Sequence, residues 1–105
     1  MRNTGLTEND LQETISVLKQ FPEVEQALIF GSRAKGNYKN GSDVDLALKG
    51  SELTFATATR ISYLLNEETQ MPYTFDVVQF KTITSPELIE HINRVGIFIY
   101  PKVDK

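Results

Sequence analysis

The sequence predicts an α+β domain built on a mixed β-sheet, with helices packed mainly on one face. Two observations lead there. Segments of helical periodicity alternate with short runs rich in β-branched and aromatic residues, in the order helix, strand, short helical turn, strand, helix, strand, helix, strand. Glycine, proline and serine fall at the joints between those segments. At 105 residues the chain reads as one domain, residues 1–105, with a real core and no second lobe.

Each element has a local reason. Thr7 is a candidate N-cap, Glu8 and Asp10 place negative charge in the first turn, and Leu11, Ile15, Leu18 and Phe21 recur at helical spacing. A helix is therefore expected over 8–21, stopped by Pro22. Val24 to Phe30 reads as the first strand and Gly31-Ser32 ends it. The basic segment 32–36 is one helical turn, followed by a loop marked by Gly36, Asn37, Asn40 and Gly41. Asp43 to Lys49 is the second strand, with Gly50-Ser51 turning out of it. A second long helix is expected over 52–68, buried through Leu53, Ala56, Ile61, Leu64 and Leu65. Its threonines at 54, 57 and 59 lower its intrinsic propensity, so packing must hold it. Tyr73 to Phe80 is the third strand. Ser85-Pro86-Glu87 starts the last helix and Gly96 is placed to end it, before a short strand Ile97 to Tyr100.

Composition narrows the function classes. No stretch approaches the ~20 apolar residues of a membrane span, and Met1 to Gly5 has no apolar core of a signal peptide. The absence of cysteine excludes disulfides and thiolate metal sites and agrees with a cytoplasmic setting. A net charge of −3 argues against autonomous binding of long nucleic acid. Local basicity at Arg33, Lys35 and Lys39 suits a small polyanion instead.

The chemistry concentrates around residues 31–45. Along Asp43-Val44-Asp45-Leu46-Ala47-Leu48 the charged and apolar residues alternate at first with period two, so Asp43 and Asp45 share one face of a strand. Two adjacent carboxylates repel unless something positive lies between them. Such hard oxygen ligands suit Mg²⁺, which binds through one or two carboxylates plus substrate phosphates. A phosphate-sized Gly-Ser turn, nearby cations and the paired acids together propose a nucleoside-triphosphate site. Asp76 is the candidate third ligand, because it sits inside the apolar run Tyr73 to Phe80, where an isolated carboxylate would be costly. A Walker A loop is excluded, since Gly36 precedes Asn37-Tyr38 rather than Lys-Ser/Thr, and no G-x-G-x-x-G occurs. His91, the single histidine, reads as a surface residue on the polar side of the last helix, and Tyr38 and Tyr63 as packing or loop residues.

The segment Gly31-Ser32-Arg33-Ala34-Lys35-Gly36, six further residues, then Asp43-Val44-Asp45-Leu46, resembles the nucleotidyltransferases of the DNA polymerase β superfamily, in particular the minimal nucleotidyltransferase (MNT) family. The resemblance is to a Gly-Ser, ten residues, Asp-x-Asp signature. It implies a nucleotidyltransferase fold and a catalytic, metal-binding set of Asp43, Asp45 and Asp76. It also implies two Mg²⁺ ions, ATP as substrate, and nucleotide binding by Gly31 and Ser32. For Arg33 and Lys35, phosphate contact, a solvated loop charge and a contact to a protein partner stay open. MNT proteins are commonly paired with a helical protein of the HEPN family (higher eukaryotes and prokaryotes nucleotide-binding). The resemblance thus implies an antitoxin that transfers AMP to a tyrosine of a HEPN toxin. The alternatives are a non-catalytic module that inhibits its HEPN partner by complex formation and, behind it, a nucleotidyltransferase acting on a small molecule.

Overall fold

Four strands form one sheet in the order β3-β2-β1-β4, in a computed structural model that describes residues 4–38 and 43–101. The elements are α1 (Glu8–Leu18), β1 (Gln26–Phe30), α2 (Ser32–Lys35), β2 (Val44–Lys49), α3 (Phe55–Glu67), β3 (Phe75–Gln79), α4 (Pro86–Val95) and β4 (Ile97–Tyr100), with a 3₁₀ turn at Phe80–Thr82. Strand β1 pairs antiparallel with both β2 and β4, while β2 and β3 run parallel. The sheet is mixed, as expected. Lys39, Asn40, Gly41 and Ser42, assigned above to the basic connector and its loop, lie outside the described residues. Among the described residues no helix is long and apolar enough to cross a membrane.

The helix starts follow the sequence closely because their caps are local. The Thr7 hydroxyl accepts from the Asp10 N–H while the Asp10 carboxylate accepts from the Thr7 N–H, both at 3.0 Å. Ser85 Oγ accepts from the Leu88 N–H at 3.2 Å, with Pro86 in the first turn. Strands β1 and β3 are shorter than expected, beginning at Gln26 and Phe75, and the helix ends differ as well. Helix α1 stops at Leu18, and the bonds Gln20 N–H to Val17 O and Phe21 N–H to Leu18 O tighten the chain before Pro22. Helix α3 starts at Phe55 rather than residue 52, because Thr54 caps it by accepting from the Thr57 N–H. That start turns Ala58 inward and leaves Ala56 exposed. Gly96 closes α4 in an extended conformation (φ −58°, ψ 139°) rather than a left-handed one. Glycine is needed there for close approach, since a Cβ would meet Ile92 O at 2.5 Å.

Each face of the sheet has its own packing. Val44, Leu46, Leu48, Ala27, Ile29 and Phe75 pack with Leu18 of α1 and Ile61 and Leu65 of α3 to form the larger core. Leu28, Phe30 and Ala47 point the other way and pack with Ile92 of α4. Two long helices therefore cover one face and α4 the other. By strand alternation Asp45 lies on the α4 face with Ala47, and Asp76 lies there with Val78. At the joint between α3 and β3, Asn66 grips both backbone groups of Phe75. Its Oδ1 accepts from the Phe75 N–H at 2.7 Å and its Nδ2 donates to Phe75 O at 3.0 Å.

Candidate active site

Parallel pairing of β2 with β3 sets Asp45 directly beside Asp76, so the two carboxylates rise from neighbouring strands whose backbones lie ~4.8 Å apart. Asp43 lies two residues earlier, immediately before β2. The consequence is electrostatic. The Asp45 carboxyl is pushed above the ordinary aspartate range, first by burial, then by the negative charges of Asp76 and Asp43, with His91 opposing. Asp45 therefore feels both its near neighbour Asp43 and Asp76 from the adjoining strand. Among the described residues no three His, Asp or Glu side chains are drawn together tightly enough to ligate one ion jointly. The donor set still fits a hard divalent cation, since two or three carboxylates that repel one another are what such an ion relieves. Asp76 itself is exposed rather than held within an apolar strand. The interior expected for Tyr73 to Phe80 applies to Phe75 and Gln79 but not to Asp76, on the opposite face of the strand.

The Gly31–Ser32 turn lies at the foot of these acids. Phe30, the last residue of β1, is the register partner of Asp45. Gly31 then adopts φ 75°, ψ −152°, a region open essentially to glycine alone. A Cβ on Gly31 would run into Asp45 Oδ2. Ser32 opens α2, and Lys35 is exposed on that short helix. Arg33 is not the solvated charge that was one of its readings. It is 2% exposed, with its guanidinium 4.9 Å from the Tyr38 ring centroid and 4.8 Å from that of Tyr73. Its Nη1 donates to Thr4 O at 2.8 Å, tying the N-terminal segment to the turn. Tyr38 is thus a packing residue, as expected, and Tyr63 lies at the surface.

His91 is the residue that sequence reasoning missed. It is half-buried, not a free surface residue. Its Nε2 accepts from the Gly31 N–H at 3.0 Å, and its ring stands edge-on to Phe30, with centroids 6.1 Å apart and planes at 78°. The signal available in sequence was weak: a lone histidine, one position before the buried Ile92.

Comparison with known proteins decides the family. A family model described as "Polymerase beta, Nucleotidyltransferase" matches residues 12–105. The chain belongs to the polymerase β-type nucleotidyltransferases. It is 33% identical over 88 residues to a probable protein adenylyltransferase MntA of Haemophilus influenzae, covering 83% of this chain and 75% of that protein. Among solved structures, a chain of a toxin–antitoxin complex with AMP-PNP superposes with a TM-score of 0.71 at 21% identity, covering 92% of this chain and 75% of that one. A second match, with a TM-score of 0.69 at 16% identity over 92% of this chain and 74% of the other, is to the complex of a tri-AMPylated Shewanella oneidensis HEPN toxin with its MNT antitoxin. These structural likenesses establish the nucleotidyltransferase fold of this chain.

Proposed function

We propose that this nucleotidyltransferase transfers AMP from ATP to a hydroxyl, that of a tyrosine, on a partner HEPN toxin, and so acts as an antitoxin. The observation that carries the reading is the in-register pairing of Asp45 with Asp76, with Asp43 two residues away and the Gly31–Ser32 turn at their foot. The naming of a relative as a protein adenylyltransferase supports the transferred group, and the HEPN complex supports the partner.

The residues divide the work. Gly31 has no Cβ, so the Asp45 carboxylate stands directly against the nucleotide turn. Ser32 offers a hydroxyl and a backbone N–H to the terminal phosphates, and Lys35 adds a positive charge from the exposed side of the turn. Asp43 and Asp45 would hold Mg²⁺, with Asp76 contributing to a second ion, and the bound metal would neutralise the triphosphate and its pyrophosphate leaving group. Asp76, exposed next to Asp45, takes the proton of the acceptor hydroxyl as the new O–P bond forms and the bond to pyrophosphate breaks. Arg33 keeps the turn in shape from beneath rather than from the nucleotide side.

The test is intact-mass spectrometry of a HEPN partner co-expressed with this chain. The partner should gain the mass of AMP with the wild type and none with Asp43→Ala/Asp45→Ala. An unmodified partner in cells protected by the wild-type chain would overturn the enzymatic reading. Full protection by the double variant would favour the inhibitory binding module instead.

A further inference from the structure

We propose that His91 is a positioning residue for the nucleotide turn: by accepting the Gly31 N–H it fixes the Phe30–Gly31 peptide, and with it the direction in which the chain enters the Gly31–Ser32 turn that receives ATP. The proposal rests on the nucleotidyltransferase reading above and assigns a task to a helix that otherwise only covers part of the sheet.

Gly31 is clamped from two directions. On its Cα side the space a Cβ would fill is taken by Asp45 Oδ2. On its amide side the N–H is bonded to His91 Nε2 at 3.0 Å. The ring has little freedom to leave. It stands edge-on to Phe30, and the next residue, Ile92, is fully buried against the second core. The turn, β2 and α4 thus meet at one residue, Gly31. The peptide that follows is held separately, with Gly31 O accepting from the Lys35 N–H at 3.1 Å as the first bond of α2. Without the imidazole, the Phe30–Gly31 peptide can turn about Gly31 and shift α2 as a unit, carrying the Ser32 N–H and hydroxyl away from the phosphates. Because the Gly31 N–H is already engaged, the phosphates are left to Ser32 and residues beyond it.

The experiment measures ATP–Mg²⁺ binding by calorimetry and ATP kinetics in the transfer assay for wild type, His91→Phe and His91→Gln. Phenylalanine keeps a ring against Phe30 but has no acceptor, whereas glutamine restores an acceptor oxygen. His91→Phe should weaken ATP binding and raise KM about tenfold, the scale of one part-buried N–H left unpaired, with kcat little changed. His91→Gln should recover most of that loss. Equal ATP affinity in wild type and His91→Phe would overturn the inference alone. So would a glutamine variant as weak as the phenylalanine one, which marks a packing role. Absence of ATP binding by the wild type would overturn the nucleotidyltransferase reading together with this inference. Amide exchange at Gly31 in the wild-type chain gives a readout that needs no variant. It should be slow and slower still with ATP–Mg²⁺ bound, by reciprocal coupling. Exchange as fast as that of an open amide, or unchanged by nucleotide, would overturn the proposal.

Discussion

Asp45 carries the conflict between stability and function at single-residue scale. Its carboxyl is raised above 3.8 by burial and by Asp76 and Asp43. A raised folded-state pKa means the native protein holds its proton more tightly than the unfolded chain. The stabilising contribution is therefore complete below 3.8 and is lost as pH rises through the folded value. In metal-free protein, Asp45→Asn should raise the thermal midpoint by a few degrees near neutral pH and abolish AMP transfer. The advantage over wild type should shrink as pH falls toward 4, measured by parallel thermal melts of the two proteins. Gly31 poses the opposite case, a residue whose backbone angles and neighbour both demand the absence of a side chain. Gly31→Ala should cost about 1–3 kcal/mol from the backbone region alone, read from the denaturant midpoint, and should also lower transfer by displacing the Asp45 carboxylate.

Between elements, the site depends on joints that pin strand ends. Asn66, on the last turn of α3, bonds both the N–H and the C=O of Phe75, one residue before Asp76. Asn66→Ala leaves both groups of a buried residue without that partner, and each such loss is worth roughly 1–3 kcal/mol. The expected result is a destabilisation at the upper part of that range and reduced transfer, with Asn66→Asp intermediate because it keeps the acceptor and loses the donor. Urea titrations of the three proteins measure it. Arg33 performs a similar service for α2, stacked between Tyr38 and Tyr73 and bonded to Thr4 O. A guanidinium fits that slot by its flat shape, which a lysine ammonium does not reproduce.

Across the whole molecule, the distribution of covering helices decides where chemistry can occur. Helices α1 and α3 seal one side of the sheet, while α4 packs over Leu28, Phe30 and Ala47 on the other and leaves Asp43 and Asp76 exposed beside it. A fold that gathers like charges on an open face gains stability from a bound cation, by mass action on the native state. Millimolar Mg²⁺ should therefore raise the melting temperature of the wild type, and not that of Asp43→Ala/Asp45→Ala, in differential scanning fluorimetry. An equal shift in both proteins would place the ion elsewhere.

Sequence alone determined whatever depends on near neighbours along the chain. The caps Thr7 and Ser85, the period-two placement of Asp43 and Asp45, and the Gly31-Ser32 strand end all follow from local backbone geometry. The tertiary structure decided the rest. Asp76 became a neighbour of Asp45 only through parallel pairing and its register, which strand periodicity leaves unspecified because a strand's own alternation is the same in every pairing. For Arg33 the sequence left phosphate contact, a solvated charge and a partner contact open, and Tyr38, Tyr73 and Thr4 close around it. His91 met Gly31 across 60 residues of chain, because burial of Ile92 against the sheet aims its neighbour at the turn. Local propensities name the elements, and long-range packing chooses which of their side chains meet.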